Sequence, residues 1–181
     1  PSLRPHAAKA IAGARRPLTQ LRLVSTPLIF CGLAVAIAFR SGVFNIGVEG
    51  QFIMGALGST VAVLALRDLP PPVLLLVAIG LGTLTGAAYG FIPGFLKART
   101  GAHEVITTIM LNLIALNIVL FALRSDFLRQ PGNDAPISKV LSTIVRVPLI
   151  FDLPAIRLHY GFVIALLMVF VALTNWGFGE R

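Results

Sequence analysis

This sequence is poor in charged residues and in cysteine, and both shortages restrict what the protein can be. Only 12% of its 181 residues are Asp, Glu, Lys or Arg, whereas soluble domains carry about 25%. A chain with so little charge that is also 56% hydrophobic cannot cover a water-exposed surface. The single cysteine, Cys31, has no second cysteine to pair with, which excludes an intrachain disulfide and a cysteine zinc site.

The motifs of several enzyme classes are also missing. The sequence contains no GxxxxGK[ST] phosphate-binding loop, so it is not an ATPase, and it contains no GxSxG nucleophile elbow. His103 belongs to no HExxH motif and has no second clustered ligand, so no metal site is expected. We therefore expect that the chain is not an enzyme and holds no cofactor of its own.

Long apolar runs stand in place of the missing charge. A membrane-spanning helix needs about 20 apolar residues to cross about 30 Å of hydrocarbon. The runs are continuously apolar rather than alternating, which argues for helices and against strands. The sequence predicts an all-α, polytopic transmembrane helix bundle with about five membrane segments: Leu23 to Phe39, Phe44 to Leu66, Pro72 to Leu96, Val105 to Leu123 and Tyr160 to Trp176.

The connections between these runs are short, with one exception. Arg124 to His159 contains several Pro, Gly and charged residues, which predicts an extramembrane loop with some short helix. The prolines at 70 to 72 predict a sharp turn that opens the third helix. The formal charge of +8 is scattered over loops and chain ends, which indicates contact with lipid headgroups and not with nucleic acid.

The stretch FNIGVEGQ, Phe44 to Gln51, places polar side chains and two glycines at the start of an apolar run. We expect a broken or re-entrant segment near Arg40 to Gln51, since irregular backbone at membrane depth needs protein or water beside it. Asn45, Glu49 and Gln51 are then candidates for a translocation path, because polar groups at this depth usually face a cavity or a partner. The alternative is an interfacial Glu49 that the dipole of a helix N-terminus favours.

The fourth run carries a second polar pattern. Glu104, Thr108 and Asn112 recur at i, i+4 and i+8, so they lie on one face of a helix. This face looks into the bundle, either as part of a translocation path or as a set of interhelical hydrogen bonds.

Four glycines spaced by four residues mark the third run. Gly82, Gly86, Gly90 and Gly94 form a stripe that lets another helix approach closely, which predicts helix packing. The alternative is a sliding or hinge surface, with a kink at Pro93.

Two signatures in correct order, FNIGVEGQ and HEVITTIMLN, carry a family resemblance. The chain resembles permease subunits of bacterial ABC importers for nucleosides and related simple sugars, in the wider class of ribose and branched-chain amino acid permeases. The resemblance is close from Ser25 to Leu123 and looser at the end, NWGFGER. His103 stands where this family commonly has Asn.

The resemblance implies a membrane-spanning subunit that forms a translocation path by alternating access in the bacterial cytoplasmic (inner) membrane. The implied partners are a second homologous permease, a cytoplasmic ABC ATPase that uses ATP and Mg, an extracytoplasmic substrate-binding lipoprotein and membrane lipid. Residues 1–181 would be a single permease domain, a fragment lacking the N-terminal helix and the C-terminal ATPase-coupling half. The resemblance puts 124–159 outside and the Lys97 turn inside, although a count of basic residues favours the reverse.

Other functions remain open on the residues alone. A secondary transporter or channel coupled to an ion gradient could use Glu49 or Glu104 to carry a proton or ion. A membrane enzyme acting on lipid is a third hypothesis, which no nucleophile or metal constellation supports.

Overall fold

The structure is a computed structural model that describes residues 24–132, 135–141, 149–153 and 156–176. Helices make up nearly all of the regular structure in this part of the chain. Two short strands lie between the last two of these helices. The helices are α1 (Val24–Arg40), α2 (Val48–Ala65), α3 (Pro71–Thr100), α4 (Glu104–Ala122) and α5 (Tyr160–Trp176).

The helix ends follow from local backbone chemistry. Residues 41–47 are not helical, and Gly42 within them has a φ of 75°, a conformation that side chains with a Cβ rarely adopt. This is the break predicted near Arg40 to Gln51. Pro70 precedes α3 and prolines occupy its first positions, as the sequence predicted. α3 ends at Thr100 and is capped by Gly101, whose φ is 66° and whose N–H donates to the carbonyl of Lys97, a common way for a helix to end.

The long connection after α4 contains strands where some short helix was expected. β1 (Leu149–Leu153) pairs antiparallel with β2 (Ile156–His159), and a separate bridge joins Arg129 to Ser138. No helix occurs in the described part of 124–159. Short apolar runs do not distinguish helix from strand by periodicity, and these two are too short to form a stable helix alone.

The chain divides into two compact units. The larger is Ala34–Arg146 and contains α2, α3 and α4; the other combines Pro1–Leu33 with Val147–Arg181. In the larger unit α2 packs along α3 and also touches α4, and its apolar core is a cluster of Val63, Leu74 and Ala78. In the other unit β2 leads directly into α5.

Three helices of the described chain are long and apolar enough to cross a membrane: α2, α3 and α4. α1 and α5 are apolar but shorter. Fewer than a quarter of the residues in each long span are buried, and the exposed ones include Leu76, Phe91 and Phe121, which are 70%, 67% and 79% exposed. Apolar surface on this scale is compatible with lipid around a polytopic helix bundle.

Candidate functional site: a polar junction of α2, α3 and α4

α2 begins without a cap of its own, and α4 supplies one. The residue before α2 is Gly47, which has no side chain to accept a hydrogen bond from the first N–H groups of the helix. The Oδ1 atom of Asn112 accepts the N–H of Gly50 at 2.9 Å, the role that Ser or Asp plays in an ordinary N-cap. The Nδ2 atom of Asn112 donates to the carbonyl of Ile46 at 3.1 Å. One carboxamide therefore holds both sides of the α2 start.

The two glycines of FNIGVEGQ make this approach possible. A Cβ at Gly50 would lie 2.9 Å from Oδ1 and 3.2 Å from Cα of Asn112, and a Cβ at Gly47 would lie 3.1 Å from Cβ of Thr108. Thr108 is only 1% exposed, so its side chain has no space to move into. Any larger residue at these two positions would separate the α2 start from α4.

Asn45 and Thr108 satisfy backbone groups beside this contact. The Oδ1 atom of Asn45 accepts the N–H of Gly47 at 2.9 Å, a local turn that Asn favours. The hydroxyl of Thr108 donates to the carbonyls of Glu104 at 2.8 Å and Val105 at 3.1 Å in its own helix. Thr108 thus contributes its methyl group and its shape to the junction, and its hydroxyl is already used.

α3 joins the junction through Tyr89, a residue that the sequence patterns did not single out. Its hydroxyl donates to the carbonyl of Leu111 at 2.6 Å, and the residue is only 7% exposed. Its position between Gly86 and Gly90 was the available signal, because the residue lies on a helix that those glycines bring close to its neighbours. We call Asn45, Gly50, Tyr89, Thr108 and Asn112 the polar junction.

Glu104 and Lys97 form a second cluster nearer the ends of the helices. The two side chains make an ion pair, and the Oε2 atom of Glu104 also accepts the N–H of Phe44 at 2.6 Å. The Nζ atom of Lys97 donates in addition to the carbonyl of Gly42 at 3.2 Å. The side chain of Glu104 is only 17% exposed. These contacts tie the α1–α2 connection to the α3–α4 turn, and Lys97 is a second residue that the sequence patterns did not single out.

The depth of the junction follows from helix geometry. Asn112 lies just over two turns into α4, about 12 Å from its first residue. The non-helical residues 44–47 contact α4 between Glu104 and Asn112, so irregular backbone runs alongside a membrane span. Such backbone is tolerated only where its polar groups find hydrogen-bond partners in protein or water. Here the side chains of Asn45, Glu104 and Asn112 form hydrogen bonds to the N–H and carbonyl groups of the segment.

Glu49 and Gln51 differ from the other predicted path residues. Glu49 is exposed, and among the described residues no hydrogen bond or ion pair engages its carboxylate. Its place in the first turn of α2 also suits the helix dipole. The carboxamide of Gln51 lies against Gly90, where a Cβ would be 3.0 Å from its Cδ atom. The structure therefore puts Glu49 on an open side of α2 and Gln51 on the side facing α3.

The glycine stripe of α3 lies against α2 over three of its four members. A Cβ at Gly82 would lie 3.0 Å from the carbonyl oxygen of Gly55, and one at Gly86 would lie 3.1 Å from that of Gln51. Gly90 contacts the Gln51 side chain. Gly94 departs from the expected stripe, since nothing lies within 4 Å of its Cβ position. The reason is that α2 begins at Val48 and does not extend alongside the last turns of α3.

No group of three His, Cys, Asp or Glu side chains within 24–132, 135–141, 149–153 and 156–176 is arranged to hold a metal ion. The arrangement can instead do two things: keep a short non-helical segment at membrane depth, and present a carboxylate from the first turn of α2.

Comparison with known proteins adds the family. The profile of the family described as branched-chain amino acid transport system, permease component, matches residues 18–180. The chain is similar to a guanosine ABC transporter permease protein, NupP, of Bacillus subtilis, with 41% identity over 143 residues, which is 78% of this chain and 40% of that protein.

Two further relatives are more distant. One is a nucleoside ABC transporter permease protein, NupB, of Lactococcus lactis, with 39% identity over 64% of this chain and 32% of that protein. The other is a glucose ABC transporter permease protein, TsgB13, of Haloferax volcanii, with 34% identity over 64% of this chain and 30% of that protein. The chain thus spans less than half the length of these relatives. No solved structure matches it.

Proposed function

This chain belongs to the family of permease components of branched-chain amino acid transport systems, and we propose that it forms part of the route by which an ATP-driven importer moves a nucleoside or related sugar. It is a multi-pass protein of the cytoplasmic (inner) membrane. Its relatives are named as guanosine, nucleoside and glucose permeases. These names support a polar small molecule that carries a sugar ring.

The observation that carries the proposal is the non-helical segment 44–47 beside the polar junction. It holds backbone carbonyl and N–H groups next to a membrane span without closing them into a helix. Interrupted helices of this kind form substrate sites in transporters, because they offer polar groups where a regular helix has none to spare. The start of α2 is therefore the part of this chain that we assign to the translocation path.

Within the path we assign two kinds of role. Glu49 is proposed to face the substrate, because the junction contacts leave its carboxylate exposed. Gln51 is proposed to line the path from the side of α2 that faces α3, where its carboxamide lies against Gly90. Asn45, Glu104, Thr108 and Asn112 are proposed as positioning residues, since each already binds backbone or a side chain. Alternating access would then move the α2 start as one block with α4.

The proposal includes partners. A cytoplasmic ABC ATPase would hydrolyse ATP with Mg, because this chain contains no phosphate-binding loop. A second homologous permease would complete the path, and an extracytoplasmic binding lipoprotein would deliver the substrate. This chain would itself be no enzyme and would form one permease domain of a longer protein, with 124–159 on the extracytoplasmic side.

Uptake by the assembled transporter tests the proposal. Vesicles holding the full-length protein with both its permease partner and the ATPase should take up a labelled nucleoside only when ATP is supplied. Uptake that ignores ATP and collapses with the proton gradient would overturn the proposal in favour of a secondary transporter.

A matched pair of variants tests the site. Glu49→Gln should reduce uptake while the complex still assembles, and Asp126→Asn, which changes an exposed acid in the connection after α4, should leave uptake unchanged. Equal uptake by both variants would remove Glu49 from the path.

A further inference from the structure

An apolar cavity of about 600 Å³ lies at the end of α2 and α3 that is remote from the Lys97–Glu104 pair. Its helical wall includes Val63, Leu75 and Ile79, and its other wall is formed by Gln130 and the loop segment 137–141. The hydroxyl of Ser59, which also lines it, already donates to the carbonyl of Ala78 at 2.9 Å. The volume of this cavity is in the range of small-molecule sites. Its helical wall is apolar apart from Ser59, whose hydroxyl is already hydrogen-bonded, so this wall suits an apolar ligand.

A second cavity of about 390 Å³ shares one lining residue with the first, Lys139, and is charged. Arg67 and Asp68 line it as well. The ammonium of Lys139 donates to the carbonyl of Asp126 at 2.9 Å, which leaves two of its three N–H groups for another acceptor. Backbone hydrogen bonds hold the loop that carries Lys139 in place. One of them is donated by the N–H of Lys139 to the carbonyl of Leu128 at 2.8 Å.

The two cavities lie at different depths. Ser59 is about 9 Å before the end of α2 and Ile79 is about 12 Å after the start of α3, so the apolar cavity extends well inside the helix ends. Arg67 lies beyond the end of α2. In a bilayer with about 30 Å of hydrocarbon, the apolar cavity would lie at the depth of lipid acyl chains. The charged cavity would lie nearer the lipid headgroups.

We propose that this end of the chain binds an anionic phospholipid, with an acyl chain in the apolar cavity and the phosphate against Lys139 and Arg67. Two cations against one carboxylate leave a net positive charge in the outer cavity, which favours an anionic headgroup over a zwitterionic one. The loop wall itself requires an apolar cover, because Val140 is 81% and Ile137 is 47% exposed. A free phosphate would satisfy only the cations, whereas a phospholipid satisfies both cavities.

Native mass spectrometry of the purified full-length protein tests this site. Phosphatidylglycerol and phosphatidylcholine with identical acyl chains are added, and the retained lipid is counted. The unmodified protein should retain phosphatidylglycerol preferentially, and Lys139→Gln should lower that retention about fivefold, the factor that corresponds to one lost cation near a headgroup. Arg124→Gln, which removes a cation from the same end but outside both cavities, should leave it unchanged.

Two more arms distinguish the parts of the site. Ile79→Trp fills the apolar cavity and should lower retention of both lipids, and inorganic phosphate alone should not displace phosphatidylglycerol. Should Lys139→Gln fail to fold by elution volume and circular dichroism, Arg67→Gln provides the same test. Equal retention of the two lipids by the unmodified protein, equal effects of the Lys139 and Arg124 changes, or displacement by phosphate would each overturn the site. The assay involves no transport, so it is independent of the function proposed above.

Discussion

The carboxamide of Asn112 in the third turn of α4 caps α2, accepting the N–H of Gly50 at 2.9 Å across 62 residues of sequence. This contact joins two membrane spans at a point where α2 has no cap of its own. A helix start inside a membrane protein needs such a partner, because its free N–H groups find no water in hydrocarbon. The start of α2 and the third turn of α4 therefore form one structural unit.

Removing the cap should destabilise the protein. Asn112→Ala leaves the N–H of Gly50 without its acceptor, and we expect the free energy of unfolding to fall by about 1–3 kcal/mol. Asn117→Ala is the matched control, since its carboxamide donates only to the carbonyl of Leu113 in its own helix. Denaturation in detergent followed by circular dichroism measures both. Equal losses for the two variants would contradict the capping role.

The ion pair between Lys97 and Glu104 should hold the α1–α2 connection in place. Glu104→Ala removes the acceptor of the Phe44 N–H, so we expect faster hydrogen exchange at Phe44 and its neighbours, measured by mass spectrometry of the corresponding peptide. Lys97→Met should produce a smaller increase, because the carboxylate remains.

Arg99→Gln serves as the control for that experiment. Arg99 follows Lys97 closely in the last turn of α3 but is not part of the ion pair. Its guanidinium lies 5.6 Å from the ring centre of Phe95. Its loss should not alter exchange in the 41–47 segment. If exchange there were unchanged by Glu104→Ala, the contact would not restrain the connection.

The α2–α3 contact should not tolerate a methyl group at Gly58. A Cβ there would lie 2.1 Å from Oγ1 and 2.9 Å from Cβ of Thr85, so the helices would have to separate. We expect Gly58→Ala to lower the free energy of unfolding by about 1–3 kcal/mol. Gly80→Ala, where nothing lies within 4 Å, should change it by less than about 1 kcal/mol. Similar thermal unfolding of both variants would show that the packing is loose.

Tyr89 should contribute through its hydroxyl as well as its ring. Tyr89→Phe removes the donor to the carbonyl of Leu111, and interhelical hydrogen bonds in membranes contribute about 0.6 kcal/mol on average. We expect a loss of that order in unfolding free energy. Tyr160→Phe, at an exposed position that begins α5, should show none. A loss as large as that of Asn112→Ala would mean that the ring packing also changes.

Several features could be predicted from local sequence. The apolar runs located the helices to within a few residues, although the second run, Phe44 to Leu66, starts before α2, which begins only at Val48. The i, i+4 and i+8 spacing placed Thr108 and Asn112 on one face, and both contact the segment that precedes α2 or its first turn. Helical periodicity depends on neighbours a few residues apart, so one sequence is enough to read it.

The distinction between the predicted path residues could not be made in this way. Glu104 looks equivalent to Glu49 in sequence, since both are single carboxylates at the start of an apolar run. The structure pairs Glu104 with Lys97 and leaves Glu49 exposed. Tyr89 was overlooked for the same reason, because its partner Leu111 belongs to another helix and offers only a backbone carbonyl.

The sequence by itself determined that this chain lies in a membrane as helices and that the glycine-containing signature FNIGVEGQ interrupts them, because hydrophobicity and backbone freedom belong to individual residues. The tertiary structure alone decided that Asn112 caps α2, that Lys97 neutralises Glu104 and that Glu49 stays exposed. These relationships depend on how far each helix is rotated about its axis and shifted in depth against its neighbours. Rotation and depth are set by contacts among residues far apart in the chain, and no local pattern specifies them.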